Sequence, residues 1–239
     1  MVNELANGWE NGLAREFTRR LAKLDCCAVS DALDKCGLPS AVTGIRPLAA
    51  TRRIVGSVVT VKLLVGTPPV VSSIGGHSRH LGTTAIEMSG AGQVIVVEQR
   101  TGIDCAGWGG ILSNAALMRK VEGVIVEGPA RDIDEAHEIG FPVFARSGTA
   151  RTARGRVFES ATGEPIQVGD TTVANGDWVI ADSSGIAFIP QARVEEVLKT
   201  AEHIHAREAL MTKAVLACQP VGQVMGADYE NMLAASKKD

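Results

Sequence analysis

Arg131 and Asp132 are adjacent in a chain of 239 residues, and they set a planar cation with a fork of N–H donors beside a hard carboxylate. The aspartate can ligate a divalent cation of the Mg or Mn type. The arginine can fork onto a substrate carboxylate or stabilise an oxyanion as it develops. Upstream, Gly107-Trp108-Gly109-Gly110 leads into Ile111-Leu112. Glycines let the backbone approach a ligand closely, and the first amides of a helix starting there, those of Ile111 and Leu112, would point at an anion such as a carboxylate. Each motif alone also has a plainer account: a tight turn chosen for packing in one case, a surface ion pair with capping value in the other. The remaining candidates carry less. His77 and His80 sit in a Gly- and Ser-rich loop, open to metal or substrate contacts or simply solvated. His203 and His205 lie two apart in a helical stretch, where side chains face different ways, so they cannot form a compact ligand pair. Cys26, Cys27, Cys36, Cys105 and Cys218 are an odd set without CxxC spacing, which suits small buried apolar residues better than a zinc ribbon or a disulfide framework. Arg146, Arg151, Arg154 and Arg156 form the one locally basic cluster, fit for a small anion, a partner protein or solvated surface.

The elements that must position these groups are legible in the hydrophobic pattern. Leu13, Phe17, Leu21 and Leu24 recur at helical spacing, and a second helix is expected over Ser30–Cys36, with Ser30 as its cap and Gly37 and Pro39 as its stop. Arg53–Val65 is β-branched strand material in which Gly56 marks a bulge or bend. Pro68–His80 reads as loop and Leu81–Met88 as helix. Gln93–Glu98 is a short, nearly continuous apolar run, as in a strand covered on both faces. Helix Ile111–Lys120, strand Gly123–Glu127, a short helix ending at His137 and strand Pro142–Ala145 follow, an alternation that right-handed crossovers turn into parallel strands. A β-rich stretch comes next, with strands at Ile166–Val168, Thr171–Val173, Trp178–Asp182 and Gly185–Ile189 and turns at Gly169-Asp170 and Gly176-Asp177. A long helix from Gln191 to about Val215 and a polar tail close the chain.

Composition bounds the class. Hydrophobic residues make up 45% and charged residues 21%, an ordinary globular balance that argues against disorder, coiled coil and collagen. The 24 basic and 27 acidic residues give a net charge of −3 without long runs of like charge, unlike the basic face of a nucleic-acid-binding protein. The N-terminal stretch carries Glu4 and Glu10 and lacks a long apolar run, so no signal peptide is expected. Nor does any stretch approach the ~20 apolar residues of a spanning helix. The expectation is a cytoplasmic protein with neither membrane nor nucleic acid as partner. It has one α/β domain at 25–215, a helical extension at 1–24 and a tail at 216–239.

Taken in order, the motifs resemble the RraA-like proteins, which include 4-hydroxy-4-methyl-2-oxoglutarate/4-carboxy-4-hydroxy-2-oxoadipate aldolases. The resemblance is carried by the spacing from Gly110 to Arg131-Asp132 within Val121-Glu-Gly-Val-Ile-Val-Glu-Gly-Pro-Ala-Arg-Asp-Ile-Asp-Glu135, supported by Ser30-Asp-Ala-Leu-Asp34, Gly56-Ser-Val-Val-Thr-Val61 and Gly140-Phe-Pro-Val-Phe144. Asn175-Gly-Asp-Trp-Val-Ile-Ala-Asp-Ser-Ser-Gly185, continuing to Pro190, completes the series, which covers roughly Asp25 to Val215. The resemblance implies a swivelling β/β/α fold with flanking helices, a homotrimer or dimer of trimers, and an active site at the subunit interface. It also implies a class II pyruvate aldolase that uses Mg or Mn to cleave a 4-hydroxy-2-oxo acid to pyruvate and a second oxo acid. Oxaloacetate decarboxylation is the implied side activity, because both reactions pass through the pyruvate enolate. On this chain Asp132 would hold the metal, partly through waters, and Arg131 would face the pyruvyl oxygen. Backbone of the Gly109, Gly110, Ile111, Leu112 stretch would meet the pyruvate carboxylate. Glu208, on the C-terminal helix of a neighbouring subunit, is the candidate for holding metal waters. The family implies a rival too, since RraA itself is a protein-binding regulator of a ribonuclease. One departure bears on the choice: aldolase members usually carry Asp, and many relatives Glu, where this chain has Gly110, which removes a group that would hold metal waters. Asp104, six residues earlier, could partly substitute, and Asp134 and Asp182 are other acids close to the motifs, but each suits a cap or turn role better. A methyltransferase reading fails for want of a nucleoside-binding glycine motif followed by an acidic ribose-binding residue.

Overall fold

The computed structural model describes residues 2–67 and 80–226, with side chains from residue 12 onward. In chain order the elements are α1 (Val2–Leu21), α2 (Cys26–Lys35), β1 (Arg46–Ala49), β2 (Ile54–Val65), α3 (Thr83–Met88), β3 (Gln93–Glu98), α4 (Gly110–Met118), β4 (Gly123–Ala130), α5 (Ile133–Glu138) and β5 (Val143–Gly148). They continue with β6 (Val157–Thr162), β7 (Ile166–Val168), β8 (Thr171–Val173), β9 (Trp178–Ala181), β10 (Ile186–Ile189), a 3-10 turn at Gln191–Arg193, α6 (Val194–Leu216) and α7 (Val221–Val224). The loop expected at Pro68–His80 lies outside the described residues apart from His80, and so does the tail beyond 226.

Strands β2, β3, β4 and β5 are parallel neighbours joined through α3, α4 and α5, as the βαβα pattern requires. β1 pairs antiparallel with β5 at one edge, while β9 and β10 extend the sheet beyond β2. The long β2 curls the sheet because it changes partner along one side. Ile54–Ser57 pair with β9, and Val61–Val65 pair with β6 across a register shift at Lys62/Leu63. β7 and β8 form a separate two-stranded hairpin.

The continuous apolar runs follow from burial on both faces. Ile95, Val97, Val124 and Val126 pack with Ala85, Ile86, Ala116 and Ala136 of α3, α4 and α5. Their neighbours Val94, Val96 and Ile125 face the other way, onto Ile166, Val168, Val173, Val179 and Phe188. A third cluster seats α1, α2 and α6 on the β9–β10 end of the sheet, with Phe17 edge-on to Trp178 at 5.5 Å. The layering is thus β/β/α with flanking helices, as expected. Arg20 ties α1 to α6, its guanidinium donating to Glu202 at 2.7 and 2.8 Å and to Glu195 at 2.7 Å.

Several local expectations are corrected. α2 begins at Cys26 and is capped by Asp25, which accepts from Ala28 N–H at 2.8 Å. Ser30 lies inside the helix, and its hydroxyl accepts from Ala41 N–H. Gly56 makes no bulge: its pairing with β9 is regular, and a Cβ there would lie 2.5 Å from the Gly92 carbonyl oxygen, so glycine is required by close approach of two backbones. β1 and β6 escaped the sequence reading; β6, Val-Phe-Glu-Ser-Ala-Thr, mixes buried and exposed positions without clean alternation.

Candidate active site

β3 ends at Glu98, opposite Glu127 of β4, which runs on to Ala130, and the chain that leaves β3 is stapled along it. Gln99 N–H donates to the Glu127 carbonyl (3.1 Å), Gly107 N–H to the Pro129 carbonyl (2.8 Å) and Arg131 N–H to the Trp108 carbonyl (3.0 Å). Such packing leaves no room for side chains. A Cβ on Gly107 would stand 3.2 Å from both Gln99 Cβ and Val126 Cγ1, and one on Gly128, at φ +156°, would meet the Gln99 carbonyl oxygen at 2.6 Å. Trp108 is buried and donates from Nε1 to Ser113 Oγ at 3.0 Å, which anchors the first turn of α4. The glycine-rich stretch is therefore both the packing turn and the launch of a helix aimed at the end of β4.

Arg131 and Asp132 meet that helix. Asp132 adopts φ +56°, ψ +42°, a left-handed conformation that asparagine and aspartate tolerate better than other side chains. It precedes α5 yet makes no cap bond to it. Its Oδ2 instead accepts from Gly110 N–H at 2.8 Å, capping α4, and lies 3.2 Å from Arg131 Nε. Gly109, fully extended at φ −157°, must lack a side chain because a Cβ would fall 2.8 Å from Asp132 Oδ2 and 3.2 Å from Arg131 Nε. The amides of Ile111 and Leu112 precede the first intrahelical bond, from Ser113 N–H to the Gly109 carbonyl, and among the described residues no acceptor meets them at the positive end of the helix. Among the described residues, Asp132 Oδ1 and both terminal guanidinium nitrogens of Arg131 have no protein partner. Arg131 and Asp132 border an open cleft of about 490 Å³, whose other lining residues are Ile133, Asp134, Glu135, Thr149 and Ala150.

One carboxylate of the cleft was not singled out from the sequence. Glu135, on the first turn of α5, accepts at Oε1 from Asn114 Nδ2 (3.1 Å), whose amide also donates to the Gly110 carbonyl at 3.0 Å. Its signal was its position, three residues after Asp132 at the start of a helix.

The other candidates fall elsewhere. Glu208 is exposed on α6, which packs on α1 and α2, and it does not line the cleft of its own chain. Asp104 pairs with Arg151 at 3.2 Å, and Asp182 accepts from Cys26 N–H at 2.9 Å and Ser184 N–H at 2.8 Å; both have structural employment. Asp134 does line the cleft. Arg146 leaves the basic cluster for a bidentate pair with Glu127, at 3.0 and 2.8 Å, on a carboxylate that also accepts from Gly169 N–H. His80, His203 and His205 are exposed, and His77 lies outside the described residues. Cys26, Cys27, Cys36, Cys105 and Cys218 are all free, but only Cys26 and Cys105 are buried as expected; Cys36 is half-buried, and Cys27 and Cys218 are exposed.

Among the described residues no three His, Cys, Asp or Glu side chains gather closely enough to hold an ion by themselves. A hard cation such as Mg or Mn keeps several waters and needs only one or two carboxylates from the protein. Asp132 Oδ1 and Glu135 Oε2, neither bonded to protein among the described residues, are donors of the right kind beside the same cleft.

A model of the RraA-like family, described as Aldolase/RraA, matches residues 26–188. The chain belongs to the RraA-like family. Its relatives include a protein of Halalkalibacterium halodurans named "Putative 4-hydroxy-4-methyl-2-oxoglutarate aldolase", 26% identical over 84% of this chain and 89% of that one. Protein DlpA of Legionella pneumophila is 27% identical over 86% of this chain, which spans only 32% of DlpA's length. Among solved structures, an uncharacterized protein from Pseudomonas syringae pv. tomato superposes with a TM-score of 0.77 at 27% identity, over 89% of this chain and 98% of that one. No helix among the described residues is long and apolar enough to cross a membrane.

Proposed function

We propose that this RraA-like chain is a divalent-metal-dependent carbon–carbon lyase, cleaving a 4-hydroxy-2-oxo acid to pyruvate and a second oxo acid, with oxaloacetate decarboxylation as a side activity. The observation that carries this reading is the turning of the Asp132 side chain away from its own helix and onto the amide of Gly110, which joins the carboxylate and the Arg131 guanidinium, both on the cleft, to the first turn of α4. Asp132 would hold Mg or Mn, with Glu208 contributed by a neighbouring copy of the chain in a trimer or dimer of trimers. When bound, the cation would supply Lewis-acid stabilisation of the pyruvyl oxygen. Arg131 presents its open fork to the same oxygen as enolate charge collects there, and the Ile111 and Leu112 amides bind the pyruvate carboxylate.

The rival, a non-catalytic protein-binding regulator of ribonuclease activity, draws on Gly110 and on the exposure of Ile111 (83%) and Met118 (82%) along α4. One assay separates the two: pyruvate release from oxaloacetate and from 4-hydroxy-4-methyl-2-oxoglutarate with Mg, Mn or EDTA, for wild type and Asp132→Asn. The lyase reading expects turnover that EDTA abolishes and that falls at least about 100-fold in the variant. Silence of folded wild-type protein on both substrates would hand the case to the regulator.

A further inference from the structure

Gly110 looks like a lost carboxylate in the sequence, yet the space its side chain would fill is taken. A Cβ built on Gly110 would lie 2.1 Å from Glu135 Oε2, 2.5 Å from its carboxyl carbon and 2.9 Å from Oε1. The Glu135 carboxylate therefore stands in the place where an acidic side chain at position 110 would begin. It reaches that place from α5 rather than from α4. Asn114, one turn further along α4, fixes it by donating to Oε1 while also donating to the Gly110 carbonyl. The Gly110 amide donates to Asp132 Oδ2, so two carboxylates from one short segment, Asp132 and Glu135, close on the same glycine. Oε2 has no protein donor among the described residues, nor has Oδ1 of Asp132, and the two residues line the same cleft.

We infer that Glu135 supplies the second carboxylate of the site, a positioning residue that holds the waters of a hydrated divalent cation on Asp132, and that Gly110 is glycine to admit it. This rests on the lyase reading above, but it concerns a residue of this chain and not the reaction. Glycine at 110 and glutamate at 135 are a matched pair: an added Cβ at 110 displaces Glu135, and removal of Glu135 leaves the site one negative charge short.

The test is titration of Mn2+ with full-length protein, followed by the electron paramagnetic resonance signal of the free ion, for wild type, Asp132→Asn, Glu135→Gln, Glu135→Ala and Gly110→Asp/Glu135→Ala. Thermal unfolding in EDTA serves as the check on folding. Glutamine keeps an acceptor for Asn114 and the same bulk over Gly110, so a purely structural role for Glu135 predicts wild-type binding. A metal-positioning role predicts Mn2+ affinity reduced about 10- to 100-fold with unchanged unfolding temperature. It also predicts that Gly110→Asp/Glu135→Ala recovers most of what Glu135→Ala loses. Wild-type affinity in Glu135→Gln overturns the inference while leaving the lyase reading intact. So does a folded double variant that binds no better than Glu135→Ala. Absence of Mn2+ binding by folded wild-type protein, or full binding by Asp132→Asn, overturns the lyase reading and this inference with it.

Discussion

Replacing Gly109 by alanine tests whether the site is built as described, because nothing about the backbone forbids it. At φ −157° any residue fits, so the glycine is required by what its Cβ would touch. Those atoms are Asp132 Oδ2 at 2.8 Å and Arg131 Nε and Cγ at 3.2 and 3.3 Å. A methyl group needs roughly 3.5–4 Å from such atoms, so the carboxylate must retreat by about an ångström and the guanidinium by somewhat less. The carboxylate can swing away at modest energy, because it is the end of a side chain and only part-buried, though the Gly110 N–H then loses its acceptor to water. Alanine is also a poorer N-cap than glycine. The two effects together destabilise by about 1 kcal/mol, or some 2–4 °C in a chain of this length. The functional loss should be much larger, since a 1 Å misplacement of a positioned group costs about 100-fold in rate. The assay is kcat/KM for metal-dependent pyruvate release, with Mn2+ affinity and thermal unfolding measured on the same preparation. Gly110→Ala is the comparison variant: it presses on Glu135 instead of the Arg131–Asp132 pair and should weaken Mn2+ binding without moving that pair. Full activity in Gly109→Ala, or loss of activity only in proportion to unfolded protein, would refute the placement of these two side chains.

Asp132→Ala and Asp132→Asn should both lose metal-dependent turnover but differ in stability. Alanine lacks asparagine's tolerance of φ +56° and its side-chain acceptor for Gly110 N–H, so it should melt lower by about 1–2 kcal/mol in EDTA, and equal melting would contradict the strained geometry. Burial, and after it the nearby Asp182 carboxylate, pushes the Cys26 thiol up to about 12. Native protein at pH 8 should therefore release Cys27 and Cys218 to a disulfide reagent while Cys26 reacts only on unfolding, and mass mapping of labelled peptides reads the order. Hydrogen bonding to Arg20 holds the Glu202 carboxyl below its usual range. In that window the unfolded chain binds more protons, so the pair's stabilisation is complete above the ordinary carboxylate pKa and fades as pH falls through the folded value. Glu202→Gln should accordingly destabilise more at pH 7 than at pH 3, by less than about 1 kcal/mol given its partial exposure, and urea midpoints at the two pH values measure the difference.

What the sequence made legible and what it hid divide along a physical line. The runs Gln93–Glu98 and Gly123–Glu127 announced buried parallel strands because both faces of each demand apolar side chains, and the pairing of β3 with β4 bears that out. Arg131 and Asp132 were legible for a related reason: adjacent residues at a strand end need no knowledge of tertiary structure to be placed together. β1 escaped because four residues, Arg-Pro-Leu-Ala, carry no period, and Gly56 misled because a bulge and a close backbone approach leave the same mark in one dimension.

Glu135 belongs to the hidden class, and the reason is instructive for the chemistry. A carboxylate is recognised in a sequence by its position relative to a motif, but a site recognises it only by where its oxygens stand. The distance from α5 to α4 is set by the staples between Gly107 and Pro129 and between Trp108 and Arg131, and a glutamate side chain is long enough to cross it. Once it does, a side chain at 110 becomes an obstruction instead of an asset. On the inference drawn above, the absence of an acid at the expected position and the presence of one three residues after Asp132 have a single cause. Counting ligands along the motif alone would record it as a loss.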